Sequence, residues 1–413
     1  MKENITPETL PEYLKNFHLT GESAPFREDI CISPAGVKVP LIENEFWTAA
    51  KRECHSLHEV PYRACFKSNL PRFFIDLFTR KGDRVYDPFM GRGTTLLESA
   101  LTSRIPCGCD ANPLSRMLIT PRLSPPTLEE VKTRLTLFMK KIHSLPERKF
   151  TGKEKKLLVF YHPETLRTLL ALRDLWEEAP EEKVNSWIRM TTLTRLTGHS
   201  SGFFSVYTLP PNQAVTIESQ KKINEKRNQT PPLRNTEKIL LKKSRLLLKD
   251  TSLLLPDAQL VKEAMILTGS SDHTPEIPSE SISLIVTSPP FLDVVNYARD
   301  NCIRNFFASI DPTKIRLTQA RTLPQWQDAM EKTFRELARV LKKGGWIAFE
   351  TGEVKHGKVK LEGVVLDCGI KAGLTPCCVA VNTQEFSKTS HCWGIDNNAK
   401  GTNSNRIAVF CKK

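Results

Sequence analysis

The sequence has no long apolar run. No stretch of about 18 apolar residues, the length that a membrane-spanning helix needs, occurs in the 413 residues. The first 17 residues also lack the basic and then apolar profile of a signal peptide. We therefore expect a soluble protein of the cytoplasm with no membrane partner.

The cysteines lack the spacing of a metal or disulfide motif. The chain has 11 cysteines but no Cys-x-x-Cys pair. Zinc sites and small disulfide scaffolds both depend on regular cysteine spacing. We expect the cysteines to be small buried side chains in a reducing compartment, and we expect no metal.

Acidic residues are too few to balance the basic ones. Lysine and arginine number 60 against 46 aspartates and glutamates, which gives a net charge of +14 and an isoelectric point near 9.2. This charge favours a polyanionic partner over an acidic metabolite. Hydrophobic residues make up 39%, enough for a sizeable core in one large or two ordinary domains.

Residues 82–98 have the pattern of a strand, a glycine turn and a helix. Gly91 and Gly93 permit positive φ angles and a close backbone approach to a ligand. Thr94 or Thr95 is expected to cap the helix that follows. This arrangement is typical of a turn that holds a nucleotide.

Two common nucleotide motifs are absent from this turn. The dinucleotide fingerprint fails because Leu96 occupies its third glycine position, three residues after Gly93. The phosphate-loop motif fails because no Gly-Lys-Ser/Thr follows. What remains suits a cofactor made of adenosine and a charged amino acid rather than a pyrophosphate.

A second short strand is predicted at residues 105–110, and it ends in Asp110. An acidic side chain at the tip of the second strand of a βαβ unit can accept hydrogen bonds from ribose hydroxyls. The alternative is a solvated aspartate that caps the helix starting at Pro113. Farther on, residues 267–272 are predicted as a strand ending at Asp272, either placed to meet an adenine amine or lying in a simple loop.

The tetrapeptide Ser288-Pro289-Pro290-Phe291 follows an apolar strand predicted at residues 281–287. Proline fixes its own φ and biases the preceding residue towards extended conformations, so this turn is rigid and its carbonyls point outward. A planar amine can be hydrogen-bonded there and its ring stacked on the aromatic residue. The alternative is an ordinary turn at a strand end.

At this point the sequence resembles the S-adenosylmethionine-dependent amino-methyltransferases of nucleic acid. In that family Asp-Pro-Phe-x-Gly-x-Gly-Thr-Thr is the cofactor loop, present here at residues 87–95. Ser-Pro-Pro-Tyr/Phe is the catalytic motif typical of cytosine N4 methylation, present at 288–291. Residues 58–67 and 401–407 are also similar to segments of the family, whereas Arg92 stands where we expect a small residue.

The resemblance implies the fold and the site residues. The fold class is α/β, a Rossmann-like S-adenosylmethionine-dependent methyltransferase fold with a mostly helical inserted subdomain. The catalytic residues implied are Ser288, Pro289, Pro290 and Phe291. The cofactor-binding residues implied are Phe66, Lys67, Asp87, Pro88, Phe89, Gly91, Gly93, Thr94, Thr95, Asp110, Asn112 and Asp272. The implied cofactor is S-adenosyl-L-methionine.

A cytosine amine is a poor nucleophile because its lone pair is delocalised into the ring. The Ser288 hydroxyl and the Pro289 carbonyl can accept hydrogen bonds from its hydrogens, while Phe291 stacks on a flipped base and Pro290 holds the geometry. Adenine-modifying relatives more often carry Asp or Asn at the position of Ser288, which favours cytosine. The methyl group passes in line by positioning and dipole stabilisation, and the proton leaves afterwards to water.

Rival chemistries remain to be distinguished. Methylation of ring carbon 5 uses a cysteine nucleophile, but Cys107 and Cys377 are not in the loop after the strand at 281–287. The alternatives kept open are an adenine-N6 DNA methyltransferase, an RNA amino-methyltransferase, and a nucleic-acid-binding relative without turnover.

A long insertion separates the two halves of the predicted catalytic domain. The catalytic domain is assigned to residues 1–120 and 266–413, and residues 121–265 to a helical, basic insertion that is too long to be a loop. Helices are predicted at 163–178, 181–196, 293–309 and 323–341, the last ended by Gly344-Gly345, and strands at 346–350 and 406–411. Alternating strands and helices predict a doubly wound, mainly parallel sheet.

The later part of the insertion, residues 221–249, carries ten lysines or arginines against Glu225 and Glu237. Such a stripe is either a solvated helix face or a nucleic-acid contact made mostly to phosphates. The residues assigned to that contact are Lys221, Lys222, Lys226, Arg227, Lys242, Lys243 and Arg245. Together with this stripe, the family resemblance implies a site-specific, nucleoid-associated enzyme of restriction-modification type that acts on double-stranded DNA by base flipping.

Overall fold

The structure is a computed structural model, and it describes residues 5–19, 26–48, 54–63, 65–209, 215–290, 301–315, 320, 322–351, 361–383 and 404–413. Its centre is a sheet of nine strands in the order β1-β2-β8-β9-β7-β6-β3-β4-β5. The strands are β1 (Arg27–Ile32), β2 (Lys38–Asn44), β3 (Arg84–Asp87), β4 (Ile105–Asp110), β5 (Met265–Thr268), β6 (Ile282–Thr287), β7 (Leu341–Thr351), β8 (Thr375–Thr383) and β9 (Ser404–Cys411).

Five neighbouring strands, β5, β4, β3, β6 and β7, run parallel. Every residue of β6 is buried, which is why its sequence is an apolar run rather than an alternation. Strand β9 is antiparallel to both β7 and β8. From β3 the chain adds β4 and β5 on one side, and it then returns to add β6 on the other side of β3. The topological switch point therefore lies between β3 and β6.

Helices cover both faces of the sheet, as a parallel sheet requires. In the catalytic part they are α1 (Leu10–Lys15), α2 (Asn69–Phe78), α3 (Thr94–Leu101), α4 (Pro113–Leu123), α12 (Cys302–Phe307), α13 (Leu323–Val340) and α14 (Leu361–Lys371). None of the helices in the described part of the chain is long and apolar enough to cross a membrane.

The insertion is helical, as predicted. Its helices are α5 (Leu128–His143), α6 (Gly152–Lys155), α7 (Pro163–Glu177), α8 (Lys183–Leu193), α9 (Ile217–Lys226), α10 (Thr236–Leu247) and α11 (Ala258–Val261). The side chains of Trp176 and Trp187 are fully buried between them. These residues join those of α3 and α4 in one apolar cluster, so the insertion packs continuously onto the catalytic part.

Several element boundaries differ from the sequence-based expectation. Strand β5 ends at Thr268, before Asp272. Helix α13 ends at Val340, and Gly344-Gly345 lie inside β7, where Gly344 has φ +71°. The predicted helix at 293–309 is described only as α12, because residues 291–300 lie outside the described part.

Candidate active site at the switch point

One cavity lies at the carboxyl ends of the parallel strands. It is lined by residues that follow β3, β4, β5 and β6, together with Tyr62, Cys65 and Phe66 from a loop that precedes α2. The carboxyl ends of strands at a topological switch point are where open α/β sheets bind ligands. The segments predicted separately from sequence therefore meet in one place.

The glycine turn after β3 is shaped by two close approaches. Gly91 has φ +48°, and a Cβ atom on it would lie 3.3 Å from Cε1 of Tyr62. Gly93 has φ +76°, and a Cβ atom there would lie 2.6 Å from Cγ1 of Ile119. Gly93 is also the N-cap residue of α3, with no side-chain cap. The prediction that Thr94 or Thr95 caps this helix is wrong.

The two threonines have other partners. The hydroxyl of Thr94 accepts a hydrogen bond from Nε of Arg92 at 3.1 Å, and the hydroxyl of Thr95 donates to the carbonyl of Val286 at 3.1 Å. Thr95 thereby joins α3 to β6. Their contribution to the site is to fix the glycine turn against its neighbours.

Asp110 lies at the tip of β4, on the cavity wall, where it was expected. Its Oδ2 accepts the backbone N–H of Gly91 at 2.9 Å, and its Oδ1 accepts that of Asn112 at 2.8 Å. Burial raises the pKa of this carboxyl, and the two N–H groups oppose the rise. The helix cap is instead Asn112, whose Oδ1 accepts the N–H of Leu114. Each Asp110 oxygen has a further lone pair that can accept a hydroxyl hydrogen.

A buried hydrogen bond joins the two motifs. Thr287, the last residue of β6, donates its hydroxyl to Oδ1 of Asp87 at 2.6 Å across a separation of 200 residues. The same oxygen accepts the N–H of Phe89 at 3.0 Å. Burial raises the pKa of Asp87 to about 7 although these donors oppose the rise. The cofactor turn and the tetrapeptide are thus held in register.

The tetrapeptide leaves β6 beside the end of β7. Thr287 is the register partner of Phe349, so Ser288 is level with Glu350. The Ser288 hydroxyl donates a hydrogen bond to the Glu350 carboxylate, and the side-chain amide of Asn405 donates to Oε1 of the same group. Burial raises the pKa of Glu350 to about 7. Sequence reasoning did not identify Glu350, because a glutamate at a strand end carries no signal of its own.

The carbonyl of Pro290 has a partner in the protein. It accepts a hydrogen bond from the indole Nε1 of Trp326 in α13 at 2.9 Å. The acceptors predicted for an incoming amine are two other groups of the tetrapeptide, the Ser288 hydroxyl and the Pro289 carbonyl. Ser288 and Pro290 line the cavity, whereas Pro289 is buried beside it and Phe291 lies outside the described residues.

The contacts of Arg92 account for an arginine where a small residue was expected. It is only 7% exposed and donates to the carbonyls of His58 at 2.9 Å and Val60 at 3.1 Å. It also reaches the carbonyl of Phe66 at 3.4 Å. Arg92 therefore holds the loop that covers the cavity, while its backbone forms part of the cavity's turn.

Most, but not all, of the predicted cofactor residues line the cavity. Those that line it are Phe66, Asp87, Pro88, Phe89, Gly91, Thr94, Asp110 and Asn112. Lys67, Gly93, Thr95 and Asp272 do not. Asp272 is exposed and accepts a hydrogen bond from the Ser270 hydroxyl, and its place in the lining is taken by Gly269, Ser270 and Ser271.

The basic stripe divides between two helices of the insertion. Lys221, Lys222 and Lys226 are exposed on α9, and Lys242 and Arg245 are exposed on α10. The exposed Arg227 has its guanidinium 3.8 Å from the centre of the Tyr207 ring. Lys243 is only 4% exposed, and its ammonium donates to the carbonyl of Glu59. Lys243 is therefore not an exposed cation, as the stripe predicted, because its ammonium points into the protein.

The cysteines on the sheet are poor nucleophiles. Cys107 is buried in β4, and burial raises its pKa to about 12; the same holds for Cys377 in β8. A thiol with such a pKa is protonated near neutral pH and unreactive. Among the residues that the structure describes, no cluster of three or more His, Cys, Asp or Glu side chains could hold a metal ion.

Residues 37–116 match a family model described as N6/N4 DNA methylase. This segment carries the signature of a DNA methylase domain. The matched span contains β2, β3, the glycine turn and Asp110, and the turn and Asp110 line the cavity. The family resemblance seen in the sequence is confirmed, and with it S-adenosylmethionine as the cofactor.

The residues present fit that cofactor. The cavity combines a glycine turn that admits close backbone approach, the carboxyl of Asp110, and the aromatic side chains of Tyr62, Phe66 and Phe89. These groups suit ribose hydroxyls and an adenine ring. When bound, S-adenosylmethionine supplies a methyl group that is activated as an electrophile by its sulfonium.

A curated relative and two solved structures are similar to parts of the chain. The type II methyltransferase M.MjaII of Methanocaldococcus jannaschii is 26% identical over 141 residues, which span 32% of this chain and 26% of the relative. The chain thus matches only about a quarter of that relative's length.

The solved structures are more distant. A TehB-like SAM-dependent methyltransferase from Corynebacterium glutamicum is 10% identical, with 83% of this chain and 87% of that chain covered and a TM-score of 0.30. The geranyl diphosphate C-methyltransferase of Streptomyces coelicolor is 8% identical, with 83% and 78% covered and a TM-score of 0.32. With scores this low, we base no conclusion on these superpositions; the sheet order itself defines the Rossmann-like fold.

Proposed function

We propose that the protein is an S-adenosylmethionine-dependent DNA methyltransferase that methylates an exocyclic amine, and that this amine is N4 of cytosine. The observation that carries the proposal is the Thr287–Asp87 hydrogen bond, which keeps the tetrapeptide beside the cofactor turn. A donor and an acceptor bound at these two segments would share one cavity. Proximity of this kind supplies much of the rate in a direct transfer.

The choice of cytosine rests on the acceptors at the tetrapeptide. The Ser288 hydroxyl and the Pro289 carbonyl are neutral groups, and the Pro290 carbonyl is occupied by Trp326. The first two can bind the two hydrogens of an exocyclic amine and localise its lone pair, and a serine rather than the Asp or Asn more common in adenine-modifying relatives favours cytosine. Hydrogen bonds to the ring from elsewhere in the pocket would complete recognition of a flipped base.

Glu350 gives the departing proton a route that does not need water. S-adenosylmethionine held by the glycine turn and Asp110 would supply its methyl group to the amine nitrogen, and the sulfur that leaves would keep the electron pair of the broken bond. The methylated amine then gives one proton to the Ser288 oxygen, and Ser288 gives its own proton to the Glu350 carboxylate. The pKa of Glu350, about 7, is near that of an efficient proton acceptor at neutral pH.

Methyl transfer from radiolabelled S-adenosylmethionine to duplex DNA, followed by nucleoside analysis, tests the proposal. N4-methylcytosine is the expected product, and Ser288→Ala should abolish its formation. Ser281→Ala is the matched control. Ser281 immediately precedes the first residue of β6, at the end of the strand opposite to Ser288, and its hydroxyl donates to the Pro278 carbonyl.

The other outcomes separate the alternatives. Only N6-methyladenine in the product would assign the enzyme to adenine, and label in a parallel RNA reaction but not in DNA would make it an RNA methyltransferase. No transfer to either polymer by the wild type, despite binding of both ligands, would leave a non-catalytic nucleic-acid-binding protein.

A further inference from the structure

Residues 57–62 form one short loop, which we call the clamped loop. Four cationic side chains hold it through the backbone carbonyls of residues 57–61. Each of its first five carbonyls accepts a hydrogen bond from a cation. Arg122 of α4 donates to Leu57 at 3.2 Å, Arg92 to His58 and Val60, Lys243 of α10 to Glu59, and Arg304 of α12 to Pro61 at 3.0 Å. Five successive carbonyls are thus bound by cationic side chains from outside the loop, although residues 56–58 themselves form a short 3-10 helix.

The clamped loop ends at Tyr62, which lines the cofactor cavity. Its ring is only 9% exposed and lies against Gly91, where a Cβ atom would come within 3.3 Å. Any displacement of the loop therefore changes the wall of the cavity at the glycine turn. The four cations position this wall.

Lys243 differs from the other three cations because its charge can change near neutral pH. Arginine stays protonated in proteins, whereas burial lowers the pKa of Lys243 to about 7. The charges of Arg195 and Arg122 lower it further, and only Glu59 opposes them. A protonated amine makes a stronger hydrogen bond to a carbonyl than a neutral one. The hold of α10 on the loop thus depends on the charge of Lys243.

The same helix lines a cationic groove. Its lining includes Arg195, Lys242, Lys243, Arg245 and Lys249, with the apolar side chains of Ile239 and Leu246 between them. No carboxylate is among the described residues that line it. Arg195 is itself stacked on the Phe203 ring, 4.5 Å from its centre. A groove with this lining suits a chain of phosphates.

We propose that α10 couples DNA binding to cofactor binding: phosphates bound in the groove strengthen the bond from Lys243 to the clamped loop and so tighten the cavity around the cofactor. An anion near Lys243 favours the protonated amine. The ammonium then holds Glu59 more firmly, and Tyr62 with it. This inference rests on the proposed function only in that the groove's ligand is DNA.

The coupling must depend on pH in a defined direction. Well below the pKa of Lys243, about 7, the amine is already protonated and phosphates add little. Above it, the free protein has a neutral amine, and DNA binding draws a proton onto it. The tightening by DNA is therefore small at pH 6 and large at pH 8.5. By linkage, cofactor tightens DNA binding by the same factor.

Calorimetric titration of the full chain with S-adenosylhomocysteine tests this without any turnover. The product analogue is titrated with and without a saturating 20-base-pair duplex, at pH 6 and at pH 8.5. We expect the duplex to tighten binding roughly fivefold or more at pH 8.5 and less than about twofold at pH 6, within the usual range of coupling energies.

Three variants isolate the role of Lys243. Lys243→Arg keeps its charge at both pH values, so the coupling should disappear while binding stays tight. Lys243→Met should weaken binding roughly tenfold and also lose the coupling. Lys238→Ala removes an exposed cation of α10 that does not line the groove. In this variant the duplex should tighten S-adenosylhomocysteine binding as much as in the wild type.

Equal affinity for S-adenosylhomocysteine with and without bound duplex at pH 8.5 would overturn the inference, as would a failure of the duplex to bind. If the duplex still tightens S-adenosylhomocysteine binding in Lys243→Arg at pH 8.5, the coupling depends on another residue. None of these results depends on methyl transfer, so a failure of the proposed function would be seen separately, in the labelling assay.

Discussion

Glu350 is the residue whose protonation state should control the rate. Burial raises its pKa to about 7, and the carboxylate is the form that can take a proton from Ser288. Single-turnover methyl transfer should therefore rise with pH up to about 7 and then level off. Glu350→Gln should lose this inflection and react about 100-fold more slowly, the usual size of a proton-transfer contribution. Measurement of the rate across pH 5.5–8.5 checks both.

The pH dependence of the melting temperature distinguishes a role of Glu350 in proton transfer from a purely structural role. The folded chain keeps Glu350 protonated to a higher pH than the unfolded chain does, so its ionisation opposes folding as pH rises from about 4 towards 7. Glu350→Gln removes this penalty, and its melting temperature should fall less than that of the wild type between pH 5 and pH 8. Glu276→Gln, at an exposed position, is the control. A variant that melts earlier at pH 8 and keeps the wild-type pH profile would contradict the role.

Single residues were predictable where a motif fixed their backbone. Gly91 and Asp110 lie where the sequence placed them, because a strand, a tight turn and a carboxylate at the next strand tip form one local unit. Asp272 was assigned to the cofactor because it follows a predicted strand, and Lys243 was assigned to a phosphate contact by charge alone. Charge does not say which way a side chain points, and Lys243 points inward to Glu59.

Helix α13 supports the tetrapeptide through one hydrogen bond. In Trp326→Phe the ring stays buried but the Pro290 carbonyl loses its donor. This carbonyl is only partly buried, and a hydrogen bond of this kind contributes about 0.5–1.5 kcal/mol. We expect the free energy of unfolding to fall by that amount and the transfer rate to fall roughly tenfold through misplacement of the turn. Chemical denaturation and single-turnover kinetics measure the two effects.

The control lies on the same helix. Lys332→Ala removes an exposed pair with Asp328, and such pairs contribute at most about 0.5 kcal/mol. Its transfer rate should equal that of the wild type. If Trp326→Phe reacts as fast as Lys332→Ala, then α13 covers the sheet without positioning the tetrapeptide.

Elements were predictable in proportion to their burial. Strand β6 is buried along its whole length and was recognised as an apolar run. Strand β1 has the burial pattern of an edge, with Ile30 and Ile32 both 58% exposed, and no strand was predicted there from the sequence. The end of α13 was assigned to a glycine pair, but the chain turns extended at Leu341 to enter β7 and needs no glycine cap.

The whole molecule has a net positive charge, and part of this charge lies on the surface of α9. Its cations Lys221, Lys222 and Lys226 are exposed. If each contacts one phosphate, replacement of all three by alanine should reduce the slope of log affinity against log salt by about 2.7, at about 0.9 for each contact on duplex DNA. Titrations of DNA binding at several salt concentrations measure this slope. An unchanged slope would show that α9 is a solvated face.

The assembly of distant segments was predictable in outline and not in detail. Parallel strands bring their carboxyl ends to one edge, so the meeting of the two motifs followed from the strand pattern. The clamped loop did not, because its cations come from three helices and a turn that are far apart in sequence. Contacts of this kind depend on tertiary packing, which leaves no periodic pattern in a sequence.

The hydrogen bond from Thr287 to Asp87 has a consequence for how the gene can be rearranged. It spans two adjacent strands, β3 and β6, and does not depend on which of them comes first along the chain. Leu10 and Leu14 of α1 and Cys411 of β9 belong to one apolar cluster, so the two ends of the described chain are neighbours in space. A circular permutation that joins these ends and opens the chain between α5 and α6 would preserve both strands, their register and the bond. The geometry of the site therefore does not require the glycine turn to precede the tetrapeptide along the chain.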